Sequence, residues 1–237
     1  MSLWIKVCAN TSLEDALVAV EAGADAVGFV FAPSPRRVTA AEVAAIVPHL
    51  PATVEKIGVF VDAELDEIYS AARSCGLTGV QLHSNTKPEL PAKLHERLGP
   101  KLRILRVVHF GAETAQQHAA QIAEHAQNPH VDAVLVDSQT AAAVGGTGVV
   151  FDWVAARSTV FRGAKARKLI AAGGLNPENV AEAIATLRPW GVDVASGVEV
   201  APGRKDPEKV REFVARARMA ARQRRAAGKL PVKPAKR

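Results

Sequence analysis

The sequence alternates eight times between a short apolar run and a longer segment with helical character. The apolar runs predict strands at residues 4–8, 25–31, 54–61, 78–82, 102–108, 132–136, 167–171 and 192–195. The intervening segments predict helices near residues 12–22, 39–49, 64–75, 87–98, 113–126, 150–157 and 176–187, with a last helix from about residue 206. Strands that are apolar throughout are typical of a parallel sheet buried on both faces. Eight strand–helix units therefore predict the α/β class and a single (β/α)8 TIM barrel.

The composition is that of a protein with one sizeable core and a basic end. Apolar residues make up 48% and charged residues 23% of the 237 residues, which is ordinary for a globular domain. The net charge is +6, but nine Lys and Arg residues and no acid lie between Arg216 and Arg237. We therefore expect a catalytic barrel over residues 1–215 and a basic, partly disordered tail over residues 216–237.

The cysteine content favours a reducing compartment. The chain has two cysteines, Cys8 and Cys75, without the short spacing of a zinc site. The first residues lack the apolar run of a signal peptide, and no stretch has 18 uncharged apolar residues in a row. These features predict a cytoplasmic protein with no metal site and no membrane contact.

Cys8 ends the first predicted strand, immediately before a helix start signal at Thr11 and Ser12. Active sites of α/β barrels lie at this edge, and strand alternation puts Lys6 and Cys8 on one face. The Lys6 cation favours a thiolate, so Cys8 could act as a base or nucleophile near neutral pH. A lone cysteine on a strand is also commonly an inert core residue, and these observations alone leave both interpretations open.

Polar and glycine-bearing segments follow the later strands. Asp137 follows strand 6 on the face of Ala133 and Leu135, where it could be a general acid or could simply cap a turn. The loops at 172–176 and 195–199, after strands 7 and 8, match the usual phosphate site of a barrel, although glycine also serves ordinary turns.

Two further strand ends carry polar side chains. Prolines stiffen the loop after strand 2, where Arg36 and Arg37 are either solvated or available to bind a carboxylate. His83 at the end of strand 4 is typical of a hydrogen-bonded wall residue. The other histidines form no metal-like cluster.

Taken together, these segments resemble phosphoribosylanthranilate isomerase, a barrel enzyme of tryptophan biosynthesis. The resemblance runs in family order over about residues 4–215, through KVCANTSLEDA (6–16), GADAVGFVFAPSPRRV (23–38), GVFVD (58–62), VQLH (80–83), VLVDSQ (134–139), GGTGVVFDW (145–153), AGGLNPENV (172–180) and VDVASGVEVAPGRKD (192–206). It implies an Amadori rearrangement of N-(5-phosphoribosyl)anthranilate to 1-(2-carboxyphenylamino)-1-deoxyribulose 5-phosphate. It also implies a phosphorylated small-molecule substrate, no metal or redox cofactor, and a monomer or homodimer.

The resemblance assigns roles to individual residues. Cys8 would be the general base, Asp137 the general acid, and Arg37 the residue that faces the anthranilate carboxylate. The expected substrate-binding set also includes residues around the phosphate and two further strand residues: Gly146, Gly173, Gly174, Ser196, Gly197, Gln81 and Asp193.

Two segments depart from the family pattern. Ala9 stands where the family usually has glycine after the cysteine, which fits if the backbone there has a negative φ. Ser84-Asn85-Thr86 replaces the glycine and acidic residues that usually follow the histidine. Neither change removes the acid or the base, so both bear on loop geometry rather than on the reaction.

Two other functions are compatible with parts of the sequence. A sugar isomerase of histidine biosynthesis performs the same rearrangement, but that family resembles a two-fold repeat with aspartates ending strands 1 and 5. Here strand 1 ends in Cys8 and strand 5 ends in Val107-Val108-His109. A non-catalytic nucleic-acid-binding module would use the basic tail, but the rest of the chain has 21 basic and 24 acidic residues and no aromatic stacking platform.

Overall fold

The computed structural model describes residues 2–83, 87–110, 115–137, 156–161 and 168–227. Eight parallel strands form a closed barrel in chain order, and the last strand pairs with the first. The strands are β1 (Trp4–Val7), β2 (Ala26–Val30), β3 (Glu55–Val61), β4 (Gly79–His83), β5 (Arg103–His109), β6 (Ala133–Asp137), β7 (Leu169–Ala172) and β8 (Gly191–Val194). The predicted (β/α)8 barrel is confirmed.

Helices cover the outside of the barrel. They are α1 (Leu13–Glu21), α2 (Ala40–Ile46), α3 (Leu65–Cys75), α4 (Leu90–Leu98), α5 (Ala115–Gln127), α6 (Val180–Leu187) and α7 (Pro207–Ala227). Short 3-10 turns span Val47–His49 and Ser196–Val198, a π-helical turn spans Arg157–Phe161, and a small hairpin joins β9 (Glu199–Ala201) to β10 (Arg204–Lys205). Most of the helix predicted at 150–157 lies outside the described residues. None of the helices that the structure describes is long and apolar enough to span a membrane.

Helix α6 begins later than predicted because a polar turn precedes it. The backbone N–H of Asn176 donates to the side chain of Asn179, and the N–H of Asn179 donates to the side chain of Asn176, both at 2.9 Å. These side chains satisfy backbone groups in a turn that competes with the helix. The observed start is therefore Val180 rather than residue 176.

Apolar side chains pack on both sides of the strands. One cluster fills the barrel interior and consists of Trp4, Ala26, Ile57, Leu105, Val107, Ala133, Leu135, Ile170 and Ala172. The larger cluster lies between the strands and the helices and includes Ile5 and Val7. On β1 the alternation thus sends Trp4 and Lys6 inward, and the next inward position is Cys8.

The last helix corrects the prediction for residues 216–227. Within α7, Ala217, Ala220 and Ala221 are buried, and Arg218 donates to the carbonyl oxygen of Gly23 and to the carboxylate of Asp25, both at 2.8 Å. The many charges of this stretch favour a solvated tail, whereas alanines at helical spacing form the face that packs on the barrel. Residues 228–237 lie outside the described residues, and their predicted disorder stays a prediction.

Candidate active site

The thiol of Cys8 lies at the carboxyl-terminal end of β1. The backbone N–H of Cys8 donates to the carbonyl oxygen of Val194 at 2.7 Å, which continues the pairing of β1 with β8 by one residue. The residue is 6% exposed. Gly28 on β2 leaves room for it, since a Cβ at Gly28 would lie 2.7 Å from the sulfur. The thiol is therefore closely fitted, at the edge of the barrel where active sites form.

Lys6 is fully buried one inward position before Cys8. Its Nζ donates to Oδ1 of Asp193 at 3.0 Å and to Oε1 of Gln81 at 2.9 Å. Burial lowers the pKa of Lys6, but the charges of Asp193 and Cys8 outweigh burial and leave that pKa above its ordinary value of 10.5. Lys6 is thus an ammonium held between β4 and β8. Gln81 and Asp193 accept hydrogen bonds from Lys6 in this structure. Their expected contact with the substrate stays a prediction.

Burial raises the pKa of the Cys8 thiol above its ordinary value of 9.0. The Lys6 ammonium lowers this pKa without offsetting the lost hydration, and the Asp193 carboxylate raises it again. Lys6 thus acts on Cys8 in the expected direction, toward the thiolate. Burial acts against the thiolate more strongly, and Asp193, the partner of Lys6, adds to the effect of burial.

Ala9 adopts a backbone conformation that alanine rarely takes. Its φ is +61°, in the left-handed region, so the condition under which alanine would fit easily, a negative φ, is not met. Alanine is strained there because its Cβ approaches the following carbonyl oxygen. The turn is held by Asn10, which is buried and donates through Nδ2 to the carbonyl oxygens of Val7 at 2.9 Å and Gly28 at 3.2 Å. These bonds fix the backbone on both sides of Ala9, directly after the thiol.

Asp137 lies at the carboxyl-terminal end of β6, three strands around the barrel from β1. It is half-buried, and it is paired in register with His109 on β5 and Ala172 on β7. Ala172 belongs to the interior cluster, so Asp137 shares the inward face at the same edge as Cys8. The structure thus brings the predicted acid and the predicted base to one end of one barrel.

Two histidines, His83 and His109, form part of the wall between these groups. Their rings lie 5.7 Å apart, and Nε2 of His83 is 2.9 Å from Nε2 of Gln81. Burial lowers the pKa of His83 to about 3 and also lowers the pKa of His109. Both imidazoles are therefore neutral at pH 7. The prediction of His83 as a hydrogen-bonded wall residue agrees with this geometry, whereas sequence reasoning assigned no role to His109.

Arg36 and Arg37 have different surroundings. Arg36 donates from Nε and Nη2 to the carboxylate of Glu199 at 2.7–3.0 Å, and Nζ of Lys205 binds the same carboxylate at 3.1 Å. The side chain of Arg37 is exposed, with no hydrogen bond or ion pair to any described residue. Arg37 is therefore the arginine of this pair that is available to an incoming anion.

Lys205 is a site residue that sequence reasoning missed. It is 3% exposed, and its charge acts to lower the pKa of Cys8. Burial lowers the pKa of Lys205 itself, against the opposing charge of Glu199. A lysine in the charged segment Gly203–Asp206 has no sequence feature that marks it as buried.

The glycine-bearing loops after β7 and β8 adopt conformations that require glycine. Gly173 and Gly174 have φ values of +80° and +63°. A Cβ at Gly197 would lie 1.9 Å from the carbonyl oxygen of Leu175, so the two loops are in close contact. Ser196 is exposed at the start of the 3-10 turn. The structure thus places four of the five predicted phosphate residues at one end of the barrel, and Gly146 lies outside the described residues.

No group of three or more His, Cys, Asp or Glu side chains within the described ranges could hold a metal ion. The polar groups that gather at this end of the barrel are a thiol, a carboxyl group, an unpaired guanidinium and glycine-rich backbone. This arrangement can move protons and bind an anionic substrate.

Comparison with known proteins agrees with this geometry. Residues 5–216 match the family described as N-(5'-phosphoribosyl)anthranilate (PRA) isomerase. The chain belongs to this family.

Relatives of known sequence and structure support the assignment to the PRA isomerase family. The N-(5'-phosphoribosyl)anthranilate isomerase of Citrifermentans bemidjiense is 44% identical over 215 residues, which cover 90% of this chain and 96% of the relative. The crystal structure of phosphoribosyl anthranilate isomerase from Thermotoga maritima is 37% identical and superposes with a TM-score of 0.78, covering 92% of this chain and 99% of that one. A PRA isomerase crystallised with reduced 1-(o-carboxyphenylamino)-1-deoxyribulose 5-phosphate has 35% identity and a TM-score of 0.75, with coverage of 92% and 99%.

Proposed function

We propose that this protein, an isomerase of tryptophan biosynthesis, converts N-(5-phosphoribosyl)anthranilate to 1-(2-carboxyphenylamino)-1-deoxyribulose 5-phosphate with Asp137 as general acid and Cys8 as general base. The observation that carries the proposal is the family match over residues 5–216. The presence of a carboxyl group and a thiol on the inward face at one end of the barrel supports the two roles. Acid and base on separate strands suit a reaction that needs one group protonated and the other deprotonated.

The proposed reaction has two proton transfers. Asp137 protonates the ring oxygen of the furanose, the bond from that oxygen to C1′ breaks, and a positively charged iminium forms. Cys8 then removes the proton from C2′, and the resulting enolamine tautomerises to the ketone. Each transfer by a positioned group is worth about 10²–10⁴ in rate.

The charges around Cys8 explain how a buried thiol can act as this base. Cys8 needs its thiolate, which burial disfavours, and Lys6 and Lys205 are the cations that favour it. The iminium adds a third positive charge beside the thiol when the ring opens. We infer that the thiolate is stabilised most when the iminium is present, which is the step at which C2′ loses its proton. The surrounding charges therefore stabilise the transition state more than they stabilise the thiolate in the free enzyme.

The ends of the substrate are assigned to separate groups. Arg37 would bind the anthranilate carboxylate, and the loops that contain Gly173, Gly174, Ser196 and Gly197, with Gly146, would bind the phosphate through backbone N–H groups. Gln81 and Asp193 would contact the substrate from below while holding Lys6. Contacts at both ends of the substrate would hold the reacting carbon between the acid and the base. The proposed chemistry needs no metal or redox cofactor. We propose a cytoplasmic enzyme that acts as a monomer or homodimer.

The direct test compares Cys8→Ala with Cys75→Ala in an assay that follows the loss of anthranilate-adduct fluorescence. Cys75 is also buried, but it lies on α3, where its thiol contacts the carbonyl oxygen of Ala40 at 3.3 Å. We expect kcat to fall by about 10²–10⁴ in Cys8→Ala and Asp137→Asn, with unchanged circular dichroism, and to stay near wild type in Cys75→Ala. Turnover of the wild-type protein with equal turnover by Cys8→Ala would refute the base; no turnover by wild type would refute the reaction.

A further inference from the structure

A buried arginine on the outer face of the barrel has no ion pair with any of the described residues. Arg106 on β5 points away from the barrel axis, since its neighbours Leu105 and Val107 fill the interior. The other outward positions of this strand, Ile104 and Val108, belong to the apolar layer beneath the helices. Arg106 is 5% exposed, yet its Nε and Nη1 have no hydrogen-bond partner in the part of the chain that the structure describes. A buried guanidinium costs free energy unless its charge and its N–H groups are satisfied.

A cavity of about 50 Å³ lies beside Arg106, between α4 and α5. Residues that carry side-chain nitrogen atoms, Lys87, Arg106, His125 and Asn128, are among those that line it, together with Glu124 and the apolar Pro91. One water needs about 10–15 Å³ by this measure, so the cavity has room for a tetrahedral ion of five heavy atoms.

The charged groups on the cavity wall compensate Arg106 only from a distance. The carboxylate of Glu124 raises the pKa of Arg106, but Glu124 is exposed and makes no ion pair with Arg106 within 4 Å. Lys87 is paired with Glu64 at 3.2 Å. His125 lies with Nε2 3.4 Å from Nη2 of Arg106, and burial together with Arg106 lowers the pKa of His125, so it is neutral at pH 7. Among the described residues, Arg106 therefore has no carboxylate in direct contact with its guanidinium.

We propose that the cavity between α4 and α5 binds a small inorganic oxyanion of the size of phosphate or sulfate through the guanidinium of Arg106. Such an ion places a negative charge in direct contact with the guanidinium and accepts hydrogen bonds from N–H groups that have no acceptor among the described residues. The site is separate from the loops after β7 and β8, because it lies behind β5 on the helical side of the barrel, and it stands independently of the proposed reaction.

Crystallography with selenate, an isostere of sulfate, gives the direct test. We expect an anomalous selenium peak within hydrogen-bond distance of the Arg106 guanidinium in wild-type crystals and none there in Arg106→Met. A second peak at the loops after β7 and β8 would serve as a positive control for soaking. Water alone beside Arg106, or selenate only at the barrel mouth, would overturn the proposal.

Thermal unfolding in solution gives an independent measurement. At equal ionic strength, replacing chloride with saturating sulfate should raise the Tm of the wild type by about 2–4 °C more than that of Arg106→Met. Arg73→Met is the matched control, since Arg73 is exposed on α3 and the variant loses the same charge. An equal sulfate response in Arg106→Met and the wild type would refute the site. If Arg106→Met does not fold, the selenate map of the wild type still decides.

Discussion

The buried ammonium of Lys6 is bonded to Asp193 at 3.0 Å, although Cys8 is its neighbour on the same face of β1. The cation that could stabilise a thiolate is thus shared with a carboxylate. The two partners shift the pKa of Cys8 in opposite directions: Lys6 lowers it and Asp193 raises it. The pair therefore adjusts a pKa that burial has already raised.

Asp193→Asn should lower the pKa of Cys8. Removing the carboxylate leaves the Lys6 charge uncompensated beside the thiol, and an opposite charge close by favours the thiolate. The same variant should lose about 3–5 kcal/mol of unfolding free energy, because a buried charge has lost its partner. The pH dependence of Cys8 alkylation in a Cys75→Ala background measures the first effect, and urea unfolding measures the second. An unchanged alkylation profile would mean that Asp193 does not control the thiol.

Arg36→Ala should mainly affect stability, whereas Arg37→Ala should mainly affect substrate binding. We expect Arg37→Ala to raise KM about 10- to 100-fold with little loss of stability, as for a lost charge-assisted contact of about 1.5–3 kcal/mol. Arg36→Ala should instead lower the unfolding free energy by about 1–3 kcal/mol, because it leaves Glu199 with Lys205 as its remaining cation. Steady-state kinetics and urea unfolding on both variants separate the effects. Equal changes in KM would show that the register of this loop is misread.

Ala9→Gly should stabilise the protein. Removing the strain of the left-handed conformation should raise the unfolding free energy by about 1–2 kcal/mol. The greater entropy of glycine in the unfolded chain should lower it by about 0.4–1 kcal/mol. We expect a net gain of about 0.5–1 kcal/mol, measured by urea unfolding. Asp62→Gly is a useful control, since Asp62 also has a positive φ, of 50°, and lies in another loop. A loss of stability in Ala9→Gly alone would indicate that the alanine methyl group makes a contact that outweighs the strain.

Truncation after Ala227 should leave stability unchanged, whereas truncation after Arg216 should cost about 3–5 kcal/mol. The shorter protein loses three buried alanine methyl groups, at about 0.8 kcal/mol each, together with the bonds of Arg218. Arg218→Ala and Arg222→Ala give a matched pair, since Arg222 is exposed. Thermal unfolding should separate these two variants. Equal Tm values for both truncated proteins would mean that the end of α7 adds no packing energy.

The sequence predicts the fold more completely than the site. Strand and helix positions follow from local periodicity, which is why all eight predicted strands correspond to observed ones. The ionisation of Cys8 depends on Asp193, which is distant in the chain and becomes its neighbour only when β8 pairs with β1. Ala9 shows the same limit at short range, since its φ is imposed by the hydrogen bonds of Asn10 rather than by its own preference.

The pairing of β1 with β8 also has a consequence for synthesis on the ribosome. Residues Trp4 and Gly191 are partners in this pair, so the first strand to emerge must wait for almost the whole chain. At about 5–20 residues per second, this wait is roughly 10–40 s. During that time the nascent chain exposes the unpaired edge of β1 with Lys6 and Cys8 on it, and the growing sheet has two open edges. The barrel therefore closes late in synthesis. The Lys6–Asp193 ion pair and the final environment of Cys8 form in the same step.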